Sequence, residues 1–272
     1  MMEPIVERGK APLIISMPHA GTDIPEQYQD HIISLWRAKK DADFWIDRLY
    51  SFATGLDATI VRTTISRTVI DLNRDPSGRS LYPGKATTEL CPTTTFDGEP
   101  LYRSGHTPTA ADIARRRDMC FAPYHDALAA EIERLRAVHK NIVLFDAHSI
   151  RSRILRLFEG ELPNLNFGTN DSVTCAPALI ERFEALSAET KFSRVTNGRF
   201  KGGYITRHYG QPDQGVHTVQ LELAMRSYMV EPPVLTEQNW PSAYQRDRAA
   251  PLRALLSKLL QAAIDFASKD PS

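Results

Sequence analysis

The sequence predicts an α/β fold of three layers, α/β/α, around a mixed and largely parallel central sheet, and three observations predict it. Two short apolar, β-branched runs, Leu13–Met17 and Ile142–Phe145, read as buried strands. Helical patterns alternate with strand patterns along the chain, which favours layered α/β packing over separate α and β regions. A third run, His217–Leu223, strictly alternates, with Val219, Leu221 and Leu223 on one face and Thr218, Gln220 and Glu222 on the other.

The elements follow in order. After the first strand, residues 38–53 carry Phe44, Ile46, Leu49, Tyr50 and Ala53 among charges, a pattern suited to one helix lying on the sheet. Residues 58–61 and 68–72 read as strands, the second leading into the polar turn Asn73-Arg74-Asp75-Pro76-Ser77-Gly78. Residues 79–105 are rich in Thr, Pro and Gly without periodicity, and so long an irregular segment suggests a loop that covers a substrate. Thr107-Pro108 reads as the cap and first position of a helix running to about Lys140, which feeds the 142–145 strand. Residues 163–177 look irregular, 178–190 form an amphipathic helix, and 242–268 form a Leu/Ala-rich helix that packs on the sheet.

With 272 residues, no internal repeat and no low-complexity linker, the chain reads as a single domain over 1–272. Lys plus Arg equals Asp plus Glu at 33 each, so no global field favours nucleic acid or an acidic membrane, and recognition of a charged ligand must be local. Cys91, Cys120 and Cys175 suggest neither a disulfide framework nor a cysteine zinc site, which fits a reducing cytoplasm. With no membrane-length apolar run and no leader-like N-terminus, the expectation is a soluble, unexported protein.

The chemistry gathers at strand ends. His19 follows the first strand and His148 the second, at the edge where open α/β sheets bind ligands. Two imidazoles there, with Asp23 four residues after one and Asp146 two before the other, suit a divalent-metal hydrolase. Asp23 is the candidate third ligand, although it also reads as a cap before Pro25; Asp146 would orient His148. Glu222 is the candidate general base, its alternative being a strand residue paired to Arg226. Asn73 and Arg74 sit on a tight turn suited to clamping a carboxylate, with Arg207, Arg67 and Arg151 as further anion-binding candidates. No phosphate-loop, dinucleotide or nucleophile-elbow spacing is present.

Taken together, Ser16-Met17-Pro18-His19-Ala20-Gly21, Asp71-Leu72-Asn73-Arg74-Asp75-Pro76, Phe145-Asp146-Ala147-His148-Ser149, Asn166-Phe167-Gly168-Thr169, the run Gly202 to Gly210 and Gln220-Leu221-Glu222-Leu223 resemble the N-formylglutamate amidohydrolases over nearly the whole chain. That family is similar to zinc carboxypeptidases and aspartoacylase, so the resemblance implies a zinc carboxypeptidase-like (phosphorylase/hydrolase-like) fold. It implies zinc, or another divalent metal, on His19 and His148, substrate contacts from Asn73 and Arg74, and Glu222 as base. In the wider group a Glu follows the first His at i+3; here that position is Thr22, and Asp23 is the nearest carboxylate. The implied reaction is hydrolysis of N-formyl-L-glutamate to formate and L-glutamate, in histidine degradation. The other readings are a deacylase of another N-acyl acidic amino acid and a metal-dependent binding protein without catalysis.

Overall fold

The computed structural model describes residues 2–80, 84 and 86–269. Seven strands form one sheet: β1 (Ile5–Glu7), β2 (Leu13–Met17), β3 (Thr59–Arg62), β4 (Ile142–Ile150), β5 (Leu165–Gly168), β6 (Arg194–Thr196) and β7 (Val216–Ala224). Their order is β1-β3-β2-β4-β7-β5-β6. The four central strands β3, β2, β4 and β7 run parallel, β1 and β5 pair antiparallel with their neighbours, and β6 is parallel to β5. The mixed, largely parallel sheet is the expected one.

Strand alternation sends side chains to two cores. Leu13, Ile15, Val143, Phe145, Val219 and Leu221 meet α6 (Pro177–Ala188) and α8 (Arg246–Ser268) on one face. Ile14, Leu144 and Val61 meet α5 (Ala122–Arg136) on the other. Asp146 and His148 share this second face, and the parallel register sets Gln220 beside Asp146 and Glu222 beside His148. Four polar groups therefore emerge together near the carboxyl ends of the central strands.

Several expected elements come out differently. Residues 38–53 are not one helix: after the single turn α1 (Glu26–Gln29), α2 (Leu35–Lys39) stops, the chain bends, and α3 (Ile46–Leu49) is followed by a 3₁₀ turn, Ser51–Leu56. The bend is held where the Asp43 amide donates to the His19 carbonyl at 3.0 Å, with Trp45 in the left-handed region at φ 64°. Residues 68–72 form no strand, because the backbone turns to bring Asp71 and Asn73 inward; the Asp71 amide bonds the Leu90 carbonyl at 2.7 Å. The helix expected from Thr107 begins at α4 (Ala110–Arg116), capped by Thr109 in a reciprocal box with Asp112, and passes through a π-turn at Arg117–Phe121 into α5. Strands β1, β5 and β6 are additions, three or four residues each, and β5 lies within the stretch read as irregular. The short helix α7 (Tyr204–Tyr209) backs onto the Asn73 turn. No described helix is long and apolar enough to cross a membrane.

Candidate metal centre and active site

His19 leaves β2 just past Pro18, where Gly21 lies so close to Thr64 that a Cβ would come within 2.2 Å of its backbone. His148 points out of β4. The two rings face each other with Nδ1 atoms 3.1 Å apart, and Asp43 Oδ2 lies 3.3 Å from His148 Nδ1 and 3.9 Å from His19 Nδ1. All three side chains are buried, and they form a group able to hold a metal ion.

The donor set fits zinc. Tetrahedral zinc with bonds of about 2.0–2.1 Å places its ligand atoms roughly 3.3 Å apart, within the range of these three separations. The far ring nitrogens are turned onto carboxylates, His19 Nε2 lying 2.6 Å from Asp71 Oδ1 and His148 Nε2 3.0 Å from Asp146 Oδ2. This carboxylate–imidazole pairing leaves each Nδ1 lone pair free to coordinate. Asp43 Oδ2 is the oxygen that faces the two imidazoles, while its Oδ1, without a hydrogen bond, lies 3.8 Å from an Arg67 Nη. Three protein ligands, if these residues held zinc, would match the ligand number of catalytic rather than structural zinc sites.

The electrostatics match. Burial favours a neutral His148, but Asp146 and Asp43 override it and carry its pKa well above the usual value, whereas burial and Arg67 lower that of His19. The field that keeps a proton on His148 also attracts a cation. Burial raises Asp71, yet Arg67, Arg74 and His19 together hold it well below the carboxylate range. Burial raises Glu222 to about 8, with Asp43 and Asp146 adding to the rise against His148 and Arg67. A metal cation nearby pulls such a carboxyl back toward its proton-accepting form.

One cavity joins these groups. Its wall includes His19, His148, Glu222, Gln220, Asn73, Arg67, Arg74 and Arg199. The described part of the 79–105 segment contributes Ala86, Thr87, Thr88 and Phe96; residues 81–83 and 85 of that expected cover lie outside the described residues. Gln220 Oε1 accepts from the Gly203 amide at 2.8 Å, and a Cβ on Gly203 would fall 2.5 Å from the Asn73 side chain, so glycine alone permits this approach.

The expected site residues divide accordingly. His19, His148 and Glu222 come together, and Glu222 stands beside His148 while Arg226 bonds Ser152 and Glu161 instead. Asp23 does not join them: it is exposed, its backbone laced to Thr64 and Ser66, and the carboxylate beside the two histidines is Asp43. That correction follows from chain direction, since the 21–23 segment runs off along residues 64–66 while the bend after α2 returns to His19. Asn73 lines the cavity, but its amide is engaged: Nδ2 donates to Asp146 Oδ2 at 3.0 Å and Oδ1 accepts from the Ile205 amide at 2.7 Å. It therefore braces Asp146 and α7. Arg67 and Arg74 reach the cavity. Arg151 is bound to Asp41 and Asp97 at 3.2 and 2.9 Å, and Arg207 donates Nε to the Gly202 carbonyl; neither lines this wall. Arg199 does, and no motif in the residues around it singles it out.

Three residues able to hold a metal ion beside a buried carboxyl, at the carboxyl ends of parallel strands, form an arrangement on which metal-assisted hydrolysis can be built. The chain belongs to the N-formylglutamate amidohydrolase family, whose sequence pattern matches residues 11–229. It is 44% identical over 263 residues to an N-formylglutamate deformylase of Pseudomonas putida, covering 96% of each chain. With an N-formylglutamate deformylase of Pseudomonas aeruginosa it shares 46% over 256 residues, 94% of this chain and 93% of that one. The fold is similar to a crystal structure of N-formylglutamate amidohydrolase from Ralstonia eutropha JMP134, with a TM-score of 0.79 at 21% identity over 98% and 99% of the two chains. It is also similar to a gene product of Agrobacterium tumefaciens, with a TM-score of 0.70 at 18% identity over 99% and 97%.

Proposed function

We infer that the protein hydrolyses N-formyl-L-glutamate to formate and L-glutamate with the help of one zinc ion, as a step of histidine degradation. The observation that carries this reading is the cavity lined by His19, His148, Glu222 and three guanidiniums, with Asp43 buried beside the two histidines. The names of relatives that match nearly the whole chain point to the same reaction. We read the sheet as a zinc carboxypeptidase-like plan in a single domain, and place the protein in the cytoplasm, where its three buried free cysteines stay reduced.

Zinc held by His19, Asp43 and His148 would supply Lewis acidity, polarising the formyl oxygen and lowering the pKa of water toward about 7. Glu222 takes a proton from the attacking water as its oxygen bonds the formyl carbon. It then delivers that proton to the amide nitrogen as the C–N bond breaks, giving formate and the free amine. Asp71 and Asp146 keep the imidazoles oriented throughout, and Asn73 holds Asp146. The α-carboxylate, two bonds from the amide nitrogen, must lie close to the reacting carbon. Arg67 and Arg74 are the cations placed for it, since both lean on Asp71, which in turn holds His19.

The test is the product balance on paired substrates. Zinc-loaded protein should release formate and glutamate one for one from N-formyl-L-glutamate. It should act at least about tenfold more slowly on N-acetyl-L-glutamate, whose extra methyl needs space beside the centre. Equal or faster release of acetate would make it a deacylase of broader acyl range.

A further inference from the structure

Gln220 lines the same cavity, and the mechanism leaves it without a role. The alternation of β7 puts it on the face of Glu222, two residues earlier, and the register sets it beside Asp146. Its carboxamide has one orientation. A backbone amide only donates, so the atom 2.8 Å from the Gly203 nitrogen is the oxygen, and Nε2 is the other end. A glycine opposite makes room for that contact: Gly168 of β5 pairs with Gln220, and a Cβ there would fall 2.5 Å from the Gly202 nitrogen. Nε2 carries two N–H groups and makes no hydrogen bond among the described residues. Gln220 is only 4% exposed, and Nε2 is not among the buried polar atoms sealed without a partner, so the exposed part opens on the cavity. Asn73 differs, since both ends of its carboxamide are engaged, by Asp146 and by the Ile205 amide.

The substrate supplies a matching acceptor. Its distal carboxylate lies five bonds from the formyl carbon, about 6 Å away in an extended chain. The strand step from Glu222 back to Gln220 covers about 6.6 Å. We propose that Gln220 Nε2 donates to the distal carboxylate and so selects acyl amino acids that carry a hydrogen-bond acceptor at glutamate length. This rests on the N-formylglutamate reading above. A hydrogen bond to an ionised acceptor is stronger than a neutral pair, and a carboxamide already held by Gly203 loses little freedom in making it. Arg67 and Arg74, both leaning on Asp71, stay with the α-carboxylate.

The experiment compares kcat and KM for the N-formyl derivatives of L-glutamate, L-glutamine and L-norvaline in the zinc-loaded wild type, Gln220→Met and Gln220→Glu, with zinc content measured on each. Ratios between substrates cancel any disturbance of the centre that all three share. The wild type should prefer the glutamate derivative to that of norvaline, which has the same length without the carboxylate. In Gln220→Met that preference should fall by about tenfold to a hundredfold, chiefly through KM. Gln220→Glu keeps an oxygen for the Gly203 amide but turns the donor into an acceptor that repels a carboxylate and welcomes a carboxamide. Its preference should move from the glutamate toward the glutamine derivative by at least about tenfold. Each variant decides independently, so the test survives if one fails to fold. Unchanged preferences, or equal losses on all three substrates, overturn the assignment while leaving the activity standing. A wild type inactive on N-formyl-L-glutamate removes the parent reading itself.

Discussion

Asp43→Asn is expected to lose bound zinc and to lower kcat/KM for N-formyl-L-glutamate by at least about 10³-fold, the scale set by several kcal/mol of Lewis-acid stabilisation. The carboxamide keeps the shape and can still accept from the Ser149 amide, which bonds Asp43 Oδ2 at 3.0 Å. It offers a metal only a weak neutral oxygen. Asp43 also neighbours His148 at 3.3 Å and Arg67 at 3.8 Å, so the metal-free variant should melt below the wild type, and zinc content and activity are read well below that temperature. Asp23→Asn is the control, since Asp23 is exposed outside the group, and it should match the wild type within a few-fold. Zinc bound with wild-type affinity and activity in Asp43→Asn would remove Asp43 from the centre.

Glu222→Gln should separate binding from chemistry. Glutamine preserves the size of a side chain that is only 8% exposed, so zinc content and KM should stay near wild type. The proton acceptor is gone, and kcat should fall by about 10²–10⁴-fold, the usual contribution of general acid–base catalysis. Activity within a few-fold of wild type would assign proton transfer elsewhere, and loss of zinc would make Glu222 a ligand.

How much of this was legible from the residues depends on whether a periodic signal carried them. His19, His148 and Glu222 sit on or just past strands whose apolar alternation is strong, and period two alone puts Glu222 on the polar face. Asp146 and His148, two apart, share a face for the same reason. Asp43 had no such signal. It comes from a bend 24 residues after His19, inside a run whose Phe44, Ile46, Leu49 and Tyr50 spacing reads as one helix, and only the left-handed Trp45 and the tie to the His19 carbonyl reveal the break.

The strands missed, β5 above all, are too short for alternation to register, and Leu165 and Phe167 enter the core only because β7 pairs with them. The arginines show the limit of composition most plainly. Arg199 lies in irregular sequence and Arg207 on the short helix α7 just after Gly202-Gly203; packing turns Arg199 onto the cavity wall, while Arg207 bonds back to the Gly202 carbonyl. Asn73 was recognisable as a site residue, but its bonds to Asp146 and Ile205 make it a brace.

The central claim is that one zinc ion on His19, Asp43 and His148 makes this cavity a deformylase. The most direct measurement strips the protein with a chelator, removes the chelator, and follows formate release from N-formyl-L-glutamate as zinc is titrated back. The account predicts negligible turnover without metal, a linear rise with added zinc, and a break at about one equivalent per chain. Full activity in protein shown by elemental analysis to hold no metal would contradict it.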